Sequence, residues 1–159
     1  MLTSLAHTAV CVPDVDEAVR WYEDVLGLTV IWPGTLLEGD DISADMGELV
    51  PEPVAVKGAI LGLGDGGDRV LEVIGYPRSP GRPKPDDAAV TDHGYSHVGL
   101  LCDDIHATRA ELEDRGVRFL TSGVAEIVGL KTTWFADPWR NVFILMEKRD
   151  ASKPYYGQI

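Results

Sequence analysis

The stretch Tyr95–Leu112, YSHVGLLCDDIHATRAEL, repeats the stretch Leu5–Tyr22, LAHTAVCVPDVDEAVRWY, which lies ninety positions earlier in the chain. In this alignment His97 corresponds to His7. Each copy places its histidine inside an apolar run rich in β-branched residues, and an aspartate seven residues later opens an amphipathic segment. The pattern predicts a strand, a helix cap and a helix in both copies, and it indicates that the chain arose by duplication.

Duplication makes two separate histidines candidates for one site. If the two copies pack about a pseudo-two-fold axis, residues that are distant in sequence meet across it. A histidine inside an apolar strand is usually a hydrogen-bonded core residue, so neither His7 nor His97 would suggest a site alone. Their equivalent positions in the two copies are the reason to consider them together.

The first copy has the pattern of a β-α-β-β-β module. Pro13 ends the first strand, Asp14 caps the helix in a capping-box pattern, and Gly27 ends the helix. The segment 33–53, PGTLLEGDDISADMGELVPEP, contains many turn formers and acids and is predicted to be a long loop. Strands are predicted at residues 5–12, 28–32, 54–63 and 69–74, with the tight turn GDGGD (64–68) between the last two.

The second copy predicts the same order of elements after a connector rich in proline and charge, residues 77–93. We interpret the chain as a single domain. It comprises module 1 (about 1–76), the connector, module 2 (about 94–148) and a C-terminal tail (149–159). Within module 2 we expect a strand at 95–102, a helix at 104–115, and strands at 116–121, 130–135 and 141–146.

The composition is that of a globular chain, with 159 residues of which 45% are hydrophobic. A net charge of −12 disfavours nucleic acid as a partner because an acidic surface repels phosphates, although it would suit a cationic small molecule. No run of about 18 apolar residues predicts a membrane span, and no secretory signal is evident, so we expect a cytoplasmic protein that does not bind membranes. Cys11 and Cys102 are predicted to be reduced core thiols.

Four stretches carry a resemblance to a known family: LAHTAVCVPDVDEAVRWYEDVLGL (5–28), LEVIGYPRSPGR (71–82), GYSHVGLLCDDI (94–105) and WFADPWRNVFILME (134–147). Together they resemble the vicinal oxygen chelate superfamily, which includes glyoxalase I, methylmalonyl-CoA epimerase, extradiol dioxygenases, fosfomycin-modifying enzymes and bleomycin-binding proteins. The resemblance implies an α+β fold in which two tandem βαβββ modules form a cupped, incompletely closed mixed β-barrel with helices outside. It also implies a homodimer that takes a small-molecule substrate or ligand.

The resemblance implies three metal ligands. The family's first-strand histidines match His7 and His97, and its carboxylate in the last strand of the first copy matches Glu72. A physical argument supports Glu72, because a glutamate flanked by Leu71 and Val73 would bury an unpaired charge if it faced the core without a partner. The alternative is that Glu72 lies on the solvent face of a half-buried strand.

The fourth metal position departs from the family. Metal-dependent members usually carry a glutamate three residues after the Asn of the Asp-Pro-x-x-Asn motif, and here that position is Ile144. Internal repetition supports the alignment, since RVLEV in the first copy lies over NVFIL in the second. Glu147 is three residues further along, an odd step, so a regular strand points it to the opposite face from Ile144.

The remaining set of two imidazoles and one carboxylate is sufficient for a divalent ion such as Fe, Ni, Zn, Mn or Co. The resemblance therefore implies a metal-dependent lyase or isomerase of the glyoxalase or epimerase type, in which the ion stabilises an enolate of a small vicinal-oxygen substrate. The general base is unassigned. Two alternatives stay open: an extradiol-type iron dioxygenase, and a metal-free small-molecule or antibiotic-binding protein similar to bleomycin-resistance proteins. Trp32 and Trp134 could line a pocket, but such residues more often pack at the core or rim.

Overall fold

The computed structural model describes residues 4–64 and 69–158. The chain forms two compact units, Met1–Pro83 and Lys84–Ile159. Each unit is a β-α-β-β-β module with its own sheet, which confirms the predicted α+β class and the tandem modules. Among the described residues, no helix combines the length and apolar character needed to cross a membrane.

The first unit contains a four-stranded sheet in the order β1-β4-β3-β2, in which β1 and β4 are parallel and the other pairs are antiparallel. Helix α1 packs against this sheet and contacts β2, β3 and β4. The elements are β1 His7–Cys11, α1 Val15–Leu26, β2 Thr29–Glu38, α2 Asp40–Met46, β3 Ala55–Gly62 and β4 Val70–Gly75.

The second unit contains a sheet in the order β5-β9-β8-β6, with β7 also paired to β8. Strands β5 and β9 are parallel, as are the first and last strands of the first unit. Helix α3 packs against β8 and β9. The elements are β5 Val98–Cys102, α3 Ile105–Asp114, β6 Arg118–Phe119, β7 Ala125–Ile127, β8 Leu130–Ala136, β9 Val142–Lys148 and a short 3-10 turn, Tyr155–Gly157.

The two helices that follow the first strand of each module begin as predicted. The Asp14 side chain accepts a hydrogen bond from the Glu17 backbone N–H at 3.0 Å, and Asp104 accepts from two backbone N–H groups of α3. These bonds favour the ionised caps, so they lower the pKa of both carboxyl groups. Gly27 ends α1 with a φ of 69°, a conformation that glycine adopts without strain.

The prediction of a long loop at 33–53 was wrong, because β2 continues through Glu38 and α2 follows it. Two register shifts interrupt the pairing of β2 with β3, one between Val30 and Trp32 and one between Trp32 and Thr35. The second contains Pro33, which has no backbone N–H to donate and is tolerated at such a bulge. Asp40 and Asp41 lie in the first turn of α2, where the helix dipole favours negative charge. The connector 77–93, all of whose residues are described, has no helix or strand; the predicted turn after Gly64 lies outside the described residues.

The strand predicted at 116–121 is shorter than expected, with only β6 at Arg118–Phe119, and β7 was not predicted. Arg109 of α3 explains the gap between these two strands. Its guanidinium lies 4.1 Å from the centre of the Phe119 ring and donates hydrogen bonds to the backbone carbonyls of Thr121 at 3.0 Å and Gly123 at 3.3 Å. A side chain on the helix thus satisfies backbone groups that a continuous strand would have paired.

We predict that Arg109→Met lowers the free energy of unfolding by about 2 to 3 kcal/mol, because it removes charged hydrogen bonds to the half-buried Thr121 carbonyl and to the hydroxyl of the buried Thr133. Arg115→Met on the same helix is the matched control. Arg115 pairs with Glu111 at an exposed i,i+4 position, so its loss should cost less than about 0.5 kcal/mol. Urea denaturation followed by circular dichroism measures both changes. Equal effects would contradict the conclusion that the hydrogen bonds of Arg109 stabilise the segment between β6 and β7.

Candidate metal-binding site

Strand β4 divides its side chains between two faces of the first sheet. Leu71 and Val73 are buried, whereas Glu72 and Ile74 are half-buried. Gly75 shares the face of Leu71 and Val73, and it lies against Val15 of α1, so that face is the one that α1 covers. Glu72 therefore lies on the opposite face of the sheet, which we call the far face. Because successive side chains of a strand point to opposite faces, a charged residue can occupy this otherwise apolar strand.

His7 lies on the same far face, at the start of β1. Its Nε2 atom is 3.3 Å from Oε2 of Glu72, and the two side chains are 48% and 24% exposed. The parallel pairing of β1 with β4 produces this approach, because it sets His7 beside Val70 and Ala9 beside Glu72. Two residues far apart in sequence thus form a partly exposed pair of an imidazole and a carboxylate.

The spacing of this pair suits a metal ion. Nitrogen and oxygen ligands about 2.1 Å from a shared ion stand roughly 3.0 Å apart in octahedral geometry and roughly 3.4 Å apart in tetrahedral geometry. The distance of 3.3 Å between His7 Nε2 and Glu72 Oε2 lies between these values. Both donor types are ones that divalent transition metals accept, so this half of the donor set fits such an ion.

Tyr76 is a polar residue that the sequence analysis did not select. It follows β4 by one residue, an even step from Glu72. Burial raises the pKa of its phenol, and the negative charges of Cys11 and Glu72 raise it further, which indicates that all three lie near one another. The alternation of β4 could have identified Tyr76. Cys11 is a free thiol as predicted, but it is exposed and not a core residue.

In the second unit, His97 directly precedes β5. Its Nδ1 atom is 3.0 Å from the Ser96 hydroxyl, and its ring meets the edge of Trp134 with the ring centres 4.8 Å apart. A partner on one ring nitrogen orients the imidazole and leaves the other nitrogen, here Nε2, as the one that would bind an ion.

Strand register confirms the internal alignment that singled out Ile144. In the first unit Ala9 pairs with Glu72, and in the second Gly99 pairs with Ile144, so Ile144 occupies the position within its unit that Glu72 occupies in the other. Glu147 lies on the opposite face of its strand from Ile144, as predicted, on the side that α3 covers. Its carboxylate accepts from the Ile105 backbone N–H at 2.8 Å and pairs with a lysine of β8 at 2.6 Å.

The Asp-Pro-x-x-Asn motif forms the turn before β9. The buried Asp137 carboxylate accepts hydrogen bonds from the backbone N–H and the side-chain amide of Asn141, both at 2.7 Å. The Asp137 N–H in turn donates to the Asn141 carbonyl at 3.0 Å. These three bonds determine where β9 begins and therefore which residue of β9 lies beside Gly99. The motif is structural, and it positions Ile144.

The predicted triad combines residues of both units, with His7 and Glu72 in the first and His97 in the second. The structure places the first two together. Taken separately, neither unit contains three or more His, Cys, Asp or Glu side chains, within residues 4–64 and 69–158, that could hold an ion. The complete triad therefore stays a prediction.

Comparisons with known proteins agree with the fold. Residues 4–145 match the family model described as the Glyoxalase/Bleomycin resistance protein/Dioxygenase superfamily. A glyoxalase family protein from Bacillus cereus is similar with a TM-score of 0.79 and 19% identity, over 94% of this chain and 97% of that one. Trypanothione-dependent glyoxalase I from Leishmania major is similar with a TM-score of 0.61 and 19% identity, over 92% and 87%. No curated protein matches by sequence.

We predict that Glu147→Gln destabilises the fold but leaves the metal content of the protein unchanged. The Ile105 N–H and Lys131 lower the pKa of Glu147, so the ionised form adds stability above its ordinary pKa of about 4.3, and that stability is lost as the pH falls through the lowered value. The deficit of the mutant should thus be full at pH 7 and shrink below about pH 4. Thermal unfolding across this range and elemental analysis test both parts; a loss of metal would place Glu147 in the site.

Proposed function

Because the chain belongs to the glyoxalase/bleomycin resistance protein/dioxygenase superfamily, we propose that it is a divalent-metal-dependent enzyme of the lyase or isomerase type. Its substrate is a small molecule with two neighbouring oxygens. His7, Glu72 and His97 hold the ion. The superfamily includes glyoxalase I and dioxygenases, and the donor set of this chain favours the metal-dependent members over the pure binders.

The observation that carries this proposal is the pair formed by His7 and Glu72. An imidazole nitrogen and a carboxylate oxygen stand 3.3 Å apart on one face of a sheet, and both side chains are accessible to solvent. A pair kept only for stability would gain little from such exposure, since partly exposed ion pairs contribute about 0 to 1 kcal/mol. Exposure is required, however, if the same two atoms are to bind an ion and leave it open to a substrate.

A bound divalent ion would supply Lewis-acid stabilisation of the negative charge that develops when a proton leaves the carbon next to a carbonyl group. The chain's own groups restrict how that proton moves. The raised pKa of Tyr76 keeps its phenol protonated at neutral pH, so it is a hydrogen-bond donor and not the base. Ile144 offers no proton acceptor. The base therefore comes from outside these two residues.

A second candidate is the metal-free binding protein, and Ile144 is the observation that favours it. An aliphatic side chain at the position equivalent to Glu72 provides an apolar wall and no ligand, which suits a guest held by surface contact. The net charge of −12 would favour a cationic guest. The extradiol-type iron dioxygenase shares the donor set of two histidines and one carboxylate with the leading proposal, so the two differ in the identity of the metal.

We predict that protein purified without chelators contains about one divalent ion per chain, and that His7→Ala, Glu72→Gln and His97→Ala each remove it. Elemental analysis measures this directly, and the metal found separates an iron dioxygenase from the lyase or isomerase. His106→Ala is the matched control, because His106 is exposed on α3 and its loss should leave the metal content unchanged. Wild-type protein that stays metal-free even with added Fe, Ni, Zn, Mn or Co would support the binding protein instead.

We further predict that Ile144→Glu tightens the binding of a divalent metal by at least about tenfold. The mutation adds an anionic oxygen beside an ion that His7, Glu72 and His97 already orient, and an added carboxylate ligand strengthens such a site. Isothermal titration of chelator-treated wild type and mutant with Zn²⁺ measures the difference. Ile144→Gln, which adds a neutral side chain of similar length, should give a smaller gain. Equal affinities in folded proteins would mean that residue 144 lies outside the metal's coordination sphere.

A further inference from the structure

Trp32 is an aromatic residue whose placement nothing described so far explains. It lies in β2 between two register shifts, one from Val30 to Trp32 and one from Trp32 to Thr35. Such bulges redirect a side chain and are frequent beside active sites. The Trp32 side chain does not enter the core; the residue is 37% exposed. A large ring left in contact with solvent loses much of the free energy that its burial would provide.

Gly58 brings Trp32 close to the carboxylate of the candidate site. A methyl group placed on Gly58 would lie 3.7 Å from Cζ3 of the Trp32 ring and 4.0 Å from Oε1 of Glu72. The ring and the carboxylate therefore meet above the same glycine. Strand pairing gives the same result, because Trp32 pairs with Ile60 and Ile60 pairs with Glu72, which puts all three side chains on the far face. Gly58 has no side chain to separate them.

We propose that Trp32 is a specificity-determining residue that stacks against a flat, conjugated ring of the ligand, whose two neighbouring oxygens would bind the ion held by His7 and Glu72. This inference rests on the proposed function and narrows it from any vicinal-oxygen compound to one that carries an aromatic or similarly planar group. The exposed part of Trp32 supplies a π surface beside the carboxylate that would hold the ion and, through that ion, the polar end of the ligand. An aliphatic group of equal size would gain contact area but no offset stacking.

The test compares three hydroxamic acids, which chelate metals through two neighbouring oxygens and differ only in the attached group. Acetohydroxamate carries a methyl group, cyclohexanecarbohydroxamate a puckered ring, and benzohydroxamate a flat ring. Isothermal titration of each into zinc-loaded protein should show benzohydroxamate binding about tenfold tighter than the cyclohexane compound. Trp32→Ala should abolish that preference while leaving the affinity for acetohydroxamate unchanged, and Trp32→Phe should keep most of it.

Leu36→Ala is the matched control. Leu36 lies on the same strand and is 51% exposed, but it pairs with Lys57, whose side chain reaches Asp16 of α1, so it lies on the other face. It should not alter any of the three affinities. Equal binding of the flat and puckered rings, or a preference that survives Trp32→Ala, would overturn the proposed role of Trp32 but would leave the proposed function intact. Failure of wild type to bind zinc, or hydroxamate binding that persists in zinc-treated Glu72→Gln, would overturn the proposed function and this inference with it.

Discussion

The candidate site depends on one requirement: a carboxylate in an apolar strand must have a partner. Glu72 meets it because β4 alternates, which buries Leu71 and Val73 under α1 and turns Glu72 to the far face. The parallel pairing of β1 with β4 then brings His7 to 3.3 Å. Parallel neighbours cannot be joined by a tight turn, and here the chain between β1 and β4 runs through α1, β2, α2 and β3. Helix α1 is thus part of what builds the site.

The fold could be predicted largely because duplication repeats the same signals. Two aspartate caps, the strand that begins at His7 and a glycine helix end rest on local chemistry, and the structure has them where expected. The strand predicted at 95–102 begins later, at Val98, so His97 lies just before it. Prediction was wrong where tertiary contacts overrule local composition. Residues 33–38 continue β2 because β3 offers a partner strand, although Pro33 and Gly34 favour a turn. Hydrogen bonds from Arg109 of α3 take the place of strand pairing after β6, and no local sequence pattern predicts such a contact.

The candidate site was predictable to a different extent in each part. Strand parity placed Glu147 on the face opposite Ile144, and the register of β5 with β9 agrees. The roles of Glu72 and His7 came from family resemblance, with parity as support. The orientations of Tyr76 and Trp32 could be predicted from the sequence only in part. Tyr76 follows the alternation of β4, whereas the direction of Trp32 depends on a bulge whose position the sequence alone does not define.

The two modules have the same register but different chemistry on equivalent faces. In the first, the position in the last strand carries Glu72, and an ionisable phenol follows at Tyr76. In the second, the equivalent position carries Ile144, with Trp134 as its cross-strand partner and His97 against that ring. A symmetric pair of modules could share proton transfer between two carboxylates. Of these two equivalent positions, only the one in the first module carries a carboxylate, and the second module has an imidazole beside apolar side chains.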